Sequence, residues 1–222
     1  QNLVAELAAT GVDPQFCQVI PNSACPLSCI LHNQQTGSRT IVHYRDLPEY
    51  DAAGFAVIPL PEYDWFHFEG RNLQQLPAML EQVRRVRVDQ PISIEIEKAR
   101  PGIEQLFAYA DVLFFSQAFA RAQGYAQAQQ LFEWVQGQAQ DAILVCSWGA
   151  QGAFARQTDG AELHAAAQPV SDVCDSVGAG DTFNAGVIHG LLSGQTLPVA
   201  LAYANRLAAR KLGQIGFDRL VP

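Results

Sequence analysis

Asp111-Val112-Leu113-Phe114-Phe115, a helical pattern from Ala126 to Gln136, and then Ala142-Ile143-Leu144-Val145-Cys146 form the stretch that decides the fold. Two near-continuous apolar runs separated by a helix read as parallel strands buried on both faces. The pattern extends toward the N-terminus. Pro91 opens a strand over Ile92–Ile96, with the charged run Glu95, Glu97, Lys98 and Arg100 at and beyond its end. Before it, Trp65-Phe66-His67-Phe68 is a short strand, followed by Leu76, Met79, Leu80 and Val83 at helical spacing. Apolar strands alternating with helices predict βαβ units and a mostly parallel sheet, hence an α/β fold. Beyond Cys146 the character changes. Gly152 to Ala166 reads as two short extended arms around the turn Thr158-Asp159-Gly160. Two helices follow, Asp181 to Leu192 and Pro198 to Leu212, with Gly194 at the break and Pro198 in a first turn. Near the start, Cys25 to His32 and Arg39 to Tyr44 flank the polar stretch Asn33 to Ser38, which contains glycine, and predict a hairpin with one wet face. Gln1 to Leu7 reads as part of a helix.

The 222 residues are 49% hydrophobic, enough for one well-buried domain. Charged residues make up only 16%, and the formal net charge is −8. Such an acid excess argues against a general nucleic-acid or anionic-membrane binder, which needs a cationic surface. It leaves anionic substrates open, since a local pocket can oppose the global sign. No run approaches the ~18 uninterrupted apolar residues of a membrane span, and the start lacks a secretion signal, so the expected location is cytoplasmic. The five cysteines, an odd number at scattered positions, do not form a disulfide framework. Cys25 and Cys29 have no second Cys/His pair at matching spacing, so strand packing is preferred over zinc.

The segment with the most chemical content is Asp175-Ser176-Val177-Gly178-Ala179-Gly180-Asp181-Thr182-Phe183-Asn184-Ala185-Gly186. A loop of small residues runs directly into a helix. Gly178 and Gly180 have no side chain to block close approach, and their amides can tilt toward an anion. The free N–H groups and positive dipole end of the helix point at the same place. Gly178, Ala179 and Gly180 thus form a candidate anion hole. Asp181, at its mouth, could cap the helix. It could equally take a proton from a hydroxyl nucleophile while the amides hold a phosphate in transfer. Gly186 and Gly190 inside the same helix suggest close approach of another backbone or a ligand.

This twelve-residue run resembles the C-terminal signature of the phosphofructokinase B, or ribokinase, family of carbohydrate kinases. Within it, Thr36-Gly37-Ser38-Arg39-Thr40-Ile41, Phe68-Glu69-Gly70-Arg71-Asn72, Leu144-Val145-Cys146-Ser147-Trp148 and Gly213-Gln214-Ile215-Gly216-Phe217-Asp218 resemble ketohexokinase segments in the same order. The resemblance implies a ribokinase-like three-layer α/β/α domain over residues 1–222, with a small β-sheet lid at about 24–46 through which two copies pair. It implies ATP-dependent phosphorylation of a sugar hydroxyl, of the fructose to fructose 1-phosphate type, with Asp181 as base and substrate contact. It also implies nucleotide contacts from the G-x-x-G loop Gly149-Ala150-Gln151-Gly152, from Arg39 in the lid and from Asn205. ATP and Mg²⁺ are the implied cofactors, with room for K⁺.

The resemblance departs from the family in two places. The family's N-terminal segment, with its first strands and sugar-gripping residues, has no counterpart, so a fragment or a divergent gene product is expected. The family's Asn-x-x-Glu metal motif is replaced by Ser116-Gln117-Ala118-Phe119. The metal ligands stay unassigned, with Glu69, Glu95 and Glu97 as candidates, although Glu95 and Glu97 read more simply as partners of Lys98 and Arg100. His67 reads as a hydrogen-bonded core or interface residue, His189 as a bystander, Trp148 as packing, and Arg84, Arg85 and Arg87 as a solvated helix end. Two rival functions remain. One is a kinase of another acceptor (ribose, a nucleoside or a sugar phosphate). The other is a non-catalytic nucleotide- or sugar-binding protein on the same scaffold.

Overall fold

The computed structural model describes residues 2–32, 39–139 and 141–221. Packing divides the chain into Gln1–Ile58 and Pro59–Pro222. In the first unit, helix α1 (Asn2–Ala9) precedes strands β1 (Leu27–His32) and β2 (Arg39–Tyr44). These pair antiparallel, with Leu27 opposite Tyr44 and His32 opposite Arg39. The turn expected at Asn33 to Ser38 lies outside the described residues. Strand alternation places Leu27, Cys29 and Leu31 on one face with Thr40, Val42 and Tyr44. Four of these, Leu27, Leu31, Val42 and Tyr44, are more than half exposed. A short helix, α2 (Ala52–Phe55), is capped by Asp51, whose carboxylate accepts from the Gly54 amide at 2.7 Å.

The second unit carries β3 (Phe66–Glu69), α3 (Leu76–Val86), β4 (Ile92–Ile96), β5 (Val112–Ser116), α4 (Gln117–Ala122), α5 (Ala128–Gln136), β6 (Ile143–Ser147), β7 (Ala153–Arg156), β8 (Glu162–Ala165), α6 (Ala179–Leu192) and α7 (Leu197–Leu212). The sheet runs β3-β4-β5-β6-β7-β8. The first four strands are parallel, and β7 and β8 are antiparallel. Strand alternation decides what each face carries. Val112, Phe114, Val145, Ala153 and Ala155 lie beneath Phe183 and Val187 of α6 and Leu197, Leu201 and Ala204 of α7. On the opposite face Phe115 meets Phe107 and Phe119 at ring separations of 5.7 and 5.5 Å. Leu80, Val83, Leu131 and Val135 of α3 and α5 are fully buried. The result is three layers, helix on sheet on helix.

The two glycines inside α6 serve backbone approach. A Cβ at Gly186 would stand 2.8 Å from the Ala204 Cα, and one at Gly190 would stand 2.9 Å from the Ala200 Cα. One helix was not foreseen and one reading needs correction. Helix α4 starts directly off β5 because Ser116 both ends the strand and caps the helix, its Oγ accepting from the Phe119 amide at 2.9 Å. Arg84 and Arg87 are not merely solvated. Arg84 donates to the Ala108 carbonyl and lies over the Tyr109 ring, while Arg87 pairs with Asp111.

Candidate active site

The parallel register builds the floor of the site. His67 lies beside Ser93, Glu69 beside Glu95, and Ser93 and Glu95 beside Val112 and Phe114. With side chains alternating along each strand, His67, Glu69, Ser93 and Glu95 all face α6, and Glu69 and Glu95 do so near the carboxyl ends of the strands. Ligands of α/β folds bind at such strand ends. There the structure opens a cavity of about 490 Å³. Its acidic wall is Glu69, Glu95, Glu97 and Asp181; Gly178, Gly180 and Asn184 belong to the α6 side, and Ser116 and Ser147 to the strand ends.

Gly178 precedes α6 with φ +75°, a left-handed conformation that glycine adopts without strain. Ala179 and Gly180 are the first residues of the helix. Asp181 follows in the first turn and is exposed at the cavity mouth. No protein group among the described residues hydrogen-bonds its carboxylate, so that group is not committed to capping. Gly178, Gly180 and Asp181 therefore meet in one cavity, and Ala179 does not line it.

Glu95 turns out differently from its reading as a partner of Lys98 or Arg100. Its Oε1 accepts from Asn184 Nδ2 at 2.9 Å, one helical turn beyond Asp181. Burial, then the charges of Asp181 and Glu97, push its carboxyl from the ordinary 4.5 up to about 7, against the pull of the Asn184 hydrogen bond. Glu97 does pair with Lys98, at 3.6 Å, and Glu69 pairs with Arg71 at 3.3 Å. Because the folded protein binds the Glu95 proton more tightly than the unfolded chain does, the stability linked to it is complete below pH 4.5 and is lost as pH rises through about 7. We expect the unfolding free energy of the unmodified protein in EDTA to fall across that window relative to Glu95→Gln. Parallel pH profiles for the two proteins would refute the assignment.

His67 shares the cavity, a role its reading as a core or interface residue did not anticipate. Its Nδ1 is 2.7 Å from Ser93 Oγ, which also accepts from Trp65 Nε1 at 2.8 Å. Desolvation lowers the His67 pKa below its ordinary value, and the Asp181 charge opposes that shift. His189 packs against Tyr203, 5.7 Å between rings, and does not line the cavity. Trp148 is buried edge-on to Phe154 at 6.2 Å, as the packing reading expected.

The expected nucleotide residues are not among those lining this cavity. Gly149, Ala150 and Gln151 form a 3-10 turn directly after β6, and Gly152 closes it at φ +90° and ψ −131°. Asn205 is buried in α7 and donates to the carbonyls of Ala165 at 2.8 Å and Ala166 at 3.1 Å. Arg39 opens β2 by its backbone, and its side chain lies outside the described residues. Cys25 and Cys29 are free thiols. Among the described residues, no cluster of three or more His, Cys, Asp or Glu is placed to hold a metal ion. No helix among them is long and apolar enough to cross a membrane.

The family model for pfkB family carbohydrate kinases matches residues 1–222. The chain belongs to that family. This kinase is 37% identical to mouse ketohexokinase over 227 residues, covering 99% of the chain and 76% of the mouse protein. Its fold matches that of adenosine kinase from Sinorhizobium meliloti, with a TM-score of 0.79 at 18% identity over 98% of this chain and 70% of that one. It also matches fructokinase from Vibrio cholerae O395, solved with fructose, ADP and calcium, with a TM-score of 0.77 at 19% identity over 99% and 77%. The kinase is thus an ATP-dependent carbohydrate kinase of ribokinase-like fold, ketohexokinase-like in sequence.

Proposed function

We propose that this kinase phosphorylates a primary hydroxyl of a ketohexose, as in the conversion of fructose to fructose 1-phosphate, with Asp181 as the general base. The observation that carries the mechanism is a carboxylate with no hydrogen-bond partner among the described residues, opening on a cavity beside the glycine amides at the start of α6. The 37% identity to a ketohexokinase carries the acceptor. Asp181 removes the hydroxyl proton, the freed oxygen attacks the γ-phosphorus in line, and the bond to the ADP oxygen breaks. The Gly178 and Gly180 amides hold the charge on the phosphoryl oxygens in transfer, while the Ala179 amide between them, which donates to the Ser176 carbonyl at 3.4 Å, would have to turn to join them.

A Mg²⁺ arriving on ATP would neutralise phosphate charge in a cavity that already holds four carboxylates. Mg²⁺ keeps much of its water and takes only one or two protein carboxylates, so one or two of Glu69, Glu95 and Glu97 suit it without a three-residue cluster. K⁺ fits less well behind the loop, where oxygens of Asp175 and Gln214 already surround the Lys211 ammonium. For the nucleotide we propose the turn Gly149, Ala150, Gln151 and Gly152, with Arg39 reaching the phosphates. Asn205 would act indirectly, by fixing the Ala165–Ala166 backbone it already binds. The family resemblance also supports a lid at about 24–46, and the exposed apolar face of β1 and β2 supports pairing of two copies there. A purely monomeric mass in sedimentation would remove the pairing.

ADP release measured across fructose, ribose, nucleosides and fructose phosphates tests the acceptor. Highest kcat/KM on a ketohexose is expected. A preference for a nucleoside would move the reading to another acceptor, and ATP binding without turnover of any of them would leave a non-catalytic binder.

A further inference from the structure

Lys211, in the last turn of α7, is fully buried. A buried ammonium is costly unless its donors are met. Here they face three oxygens: Asp175 Oδ2 at 2.7 Å, the Asp175 carbonyl at 3.3 Å and the Gln214 carbonyl at 3.5 Å. The Phe217 ring lies 5.2 Å away and adds its electron-rich face.

These contacts hold the loop that leads to the reacting carboxylate. Asp175 opens the segment that ends at Asp181, and its Oδ1 also accepts from the Val177 amide at 2.9 Å. The Lys211 hydrogen bond, then the Val177 amide, keep the Asp175 carboxyl below its ordinary range. The amides of Cys174 and Asp175 both donate to the Leu212 carbonyl, at 2.8 and 3.3 Å. Further along, Phe217 closes on Gly178, where a Cβ would stand 2.7 Å from the ring Cε1. The loop is therefore pinned at several points to the end of α7 and the tail behind it, and Lys211 itself does not line the cavity. A purely structural tie could use uncharged groups at lower desolvation cost. A charged one is harder to break, since loss of Asp175 would leave the buried Lys211 ammonium unpaired.

We infer that Lys211 is a positioning residue whose ammonium, caged by the oxygens of Asp175 and Gln214, sets the geometry of the loop amides. This rests on the reading of the Gly178–Gly180 amides as the group that holds phosphate.

The test uses Lys211→Ala and Asp175→Asn in the full chain, with Asp181→Asn in parallel. A misplacement of about 1 Å away from the chemistry can cost ~10²-fold. We expect folded Lys211→Ala to lose kcat by about 10²-fold, with little change in KM for the acceptor. Ammonium or methylammonium, which can enter the vacated oxygen cage, should restore about tenfold or more, and tetramethylammonium, too large for it, should not. Where Lys211→Ala does not fold, Asp175→Asn decides: a folded protein with reduced kcat and an unchanged acceptor KM supports the inference. Either variant folded with unaltered kcat overturns it. So does a Lys211→Ala loss that ammonium cannot recover and that appears equally in both KM values. If Asp181→Asn collapses while the Lys211 variants stay active, only this inference fails. If Asp181→Asn stays active, the underlying reading fails first.

Discussion

Asp181→Asn is expected to lower kcat by about 10²–10⁴ while ATP still binds, since a positioned general base typically contributes that much. The substitution keeps the size of the side chain and removes its ability to take a proton. The structure makes the variant clean. Asp181 is exposed, no protein group among the described residues donates to its carboxylate, and it adds little to the core. Thermal unfolding should therefore be nearly unchanged. Single-turnover kinetics at saturating ATP and acceptor, together with nucleotide binding by calorimetry, would measure both halves. Turnover within a few-fold of the unmodified protein would remove Asp181 from the role. Loss of ATP binding with loss of turnover would instead place it in substrate holding.

Gly152→Ala is expected to destabilise the protein by about 2–6 kcal/mol, the sum of backbone strain and overpacking of about 1–3 kcal/mol each. At φ +90° and ψ −131° the residue occupies backbone space that a side chain disfavours. A Cβ there would strike the Ala165 carbonyl oxygen and stand 2.5 Å from the Ala167 nitrogen. These are main-chain atoms at the end of β8 and cannot swing aside as a flexible side chain would. Chemical denaturation would read the loss, and near-native stability would show that the turn relaxes freely. The same displacement would move Ala165 and Ala166, whose carbonyls receive the Asn205 amide. Weaker ATP binding is expected to accompany the stability loss.

The layers of the fold were legible because they rest on local patterns. Apolar runs at β4, β5 and β6 and the helical spacing after β3 need no knowledge of distant partners. The loop proposed to hold phosphate could be singled out for the same reason, since its glycines and Asp181 are contiguous. What stayed hidden depends on register or distance. Glu95 and Asn184 are 89 residues apart, and only the stacking of α6 on the sheet brings them together. In sequence, Lys98 and Arg100 were the nearer partners. His67 could have been placed by the alternation in Phe66-His67-Phe68-Glu69, which sets His67 and Glu69 on one face, but the face itself is fixed only by pairing with β4. Helix α4 escaped because no glycine or proline separates it from β5. Arg84 and Arg87 were misread because Ala108 and Asp111 lie beyond the following strand.

Strand β4 interleaves isoleucines at 92, 94 and 96 with Ser93 and Glu95 on the other side. One inserted or deleted residue would flip that pattern, turning the carboxylate into the buried apolar layer of Ile92, Ile94 and Ile96 and presenting an isoleucine to the cavity. Side chains can therefore be exchanged on the cavity side of this strand without disturbing its apolar side, whereas a change of length would disturb both.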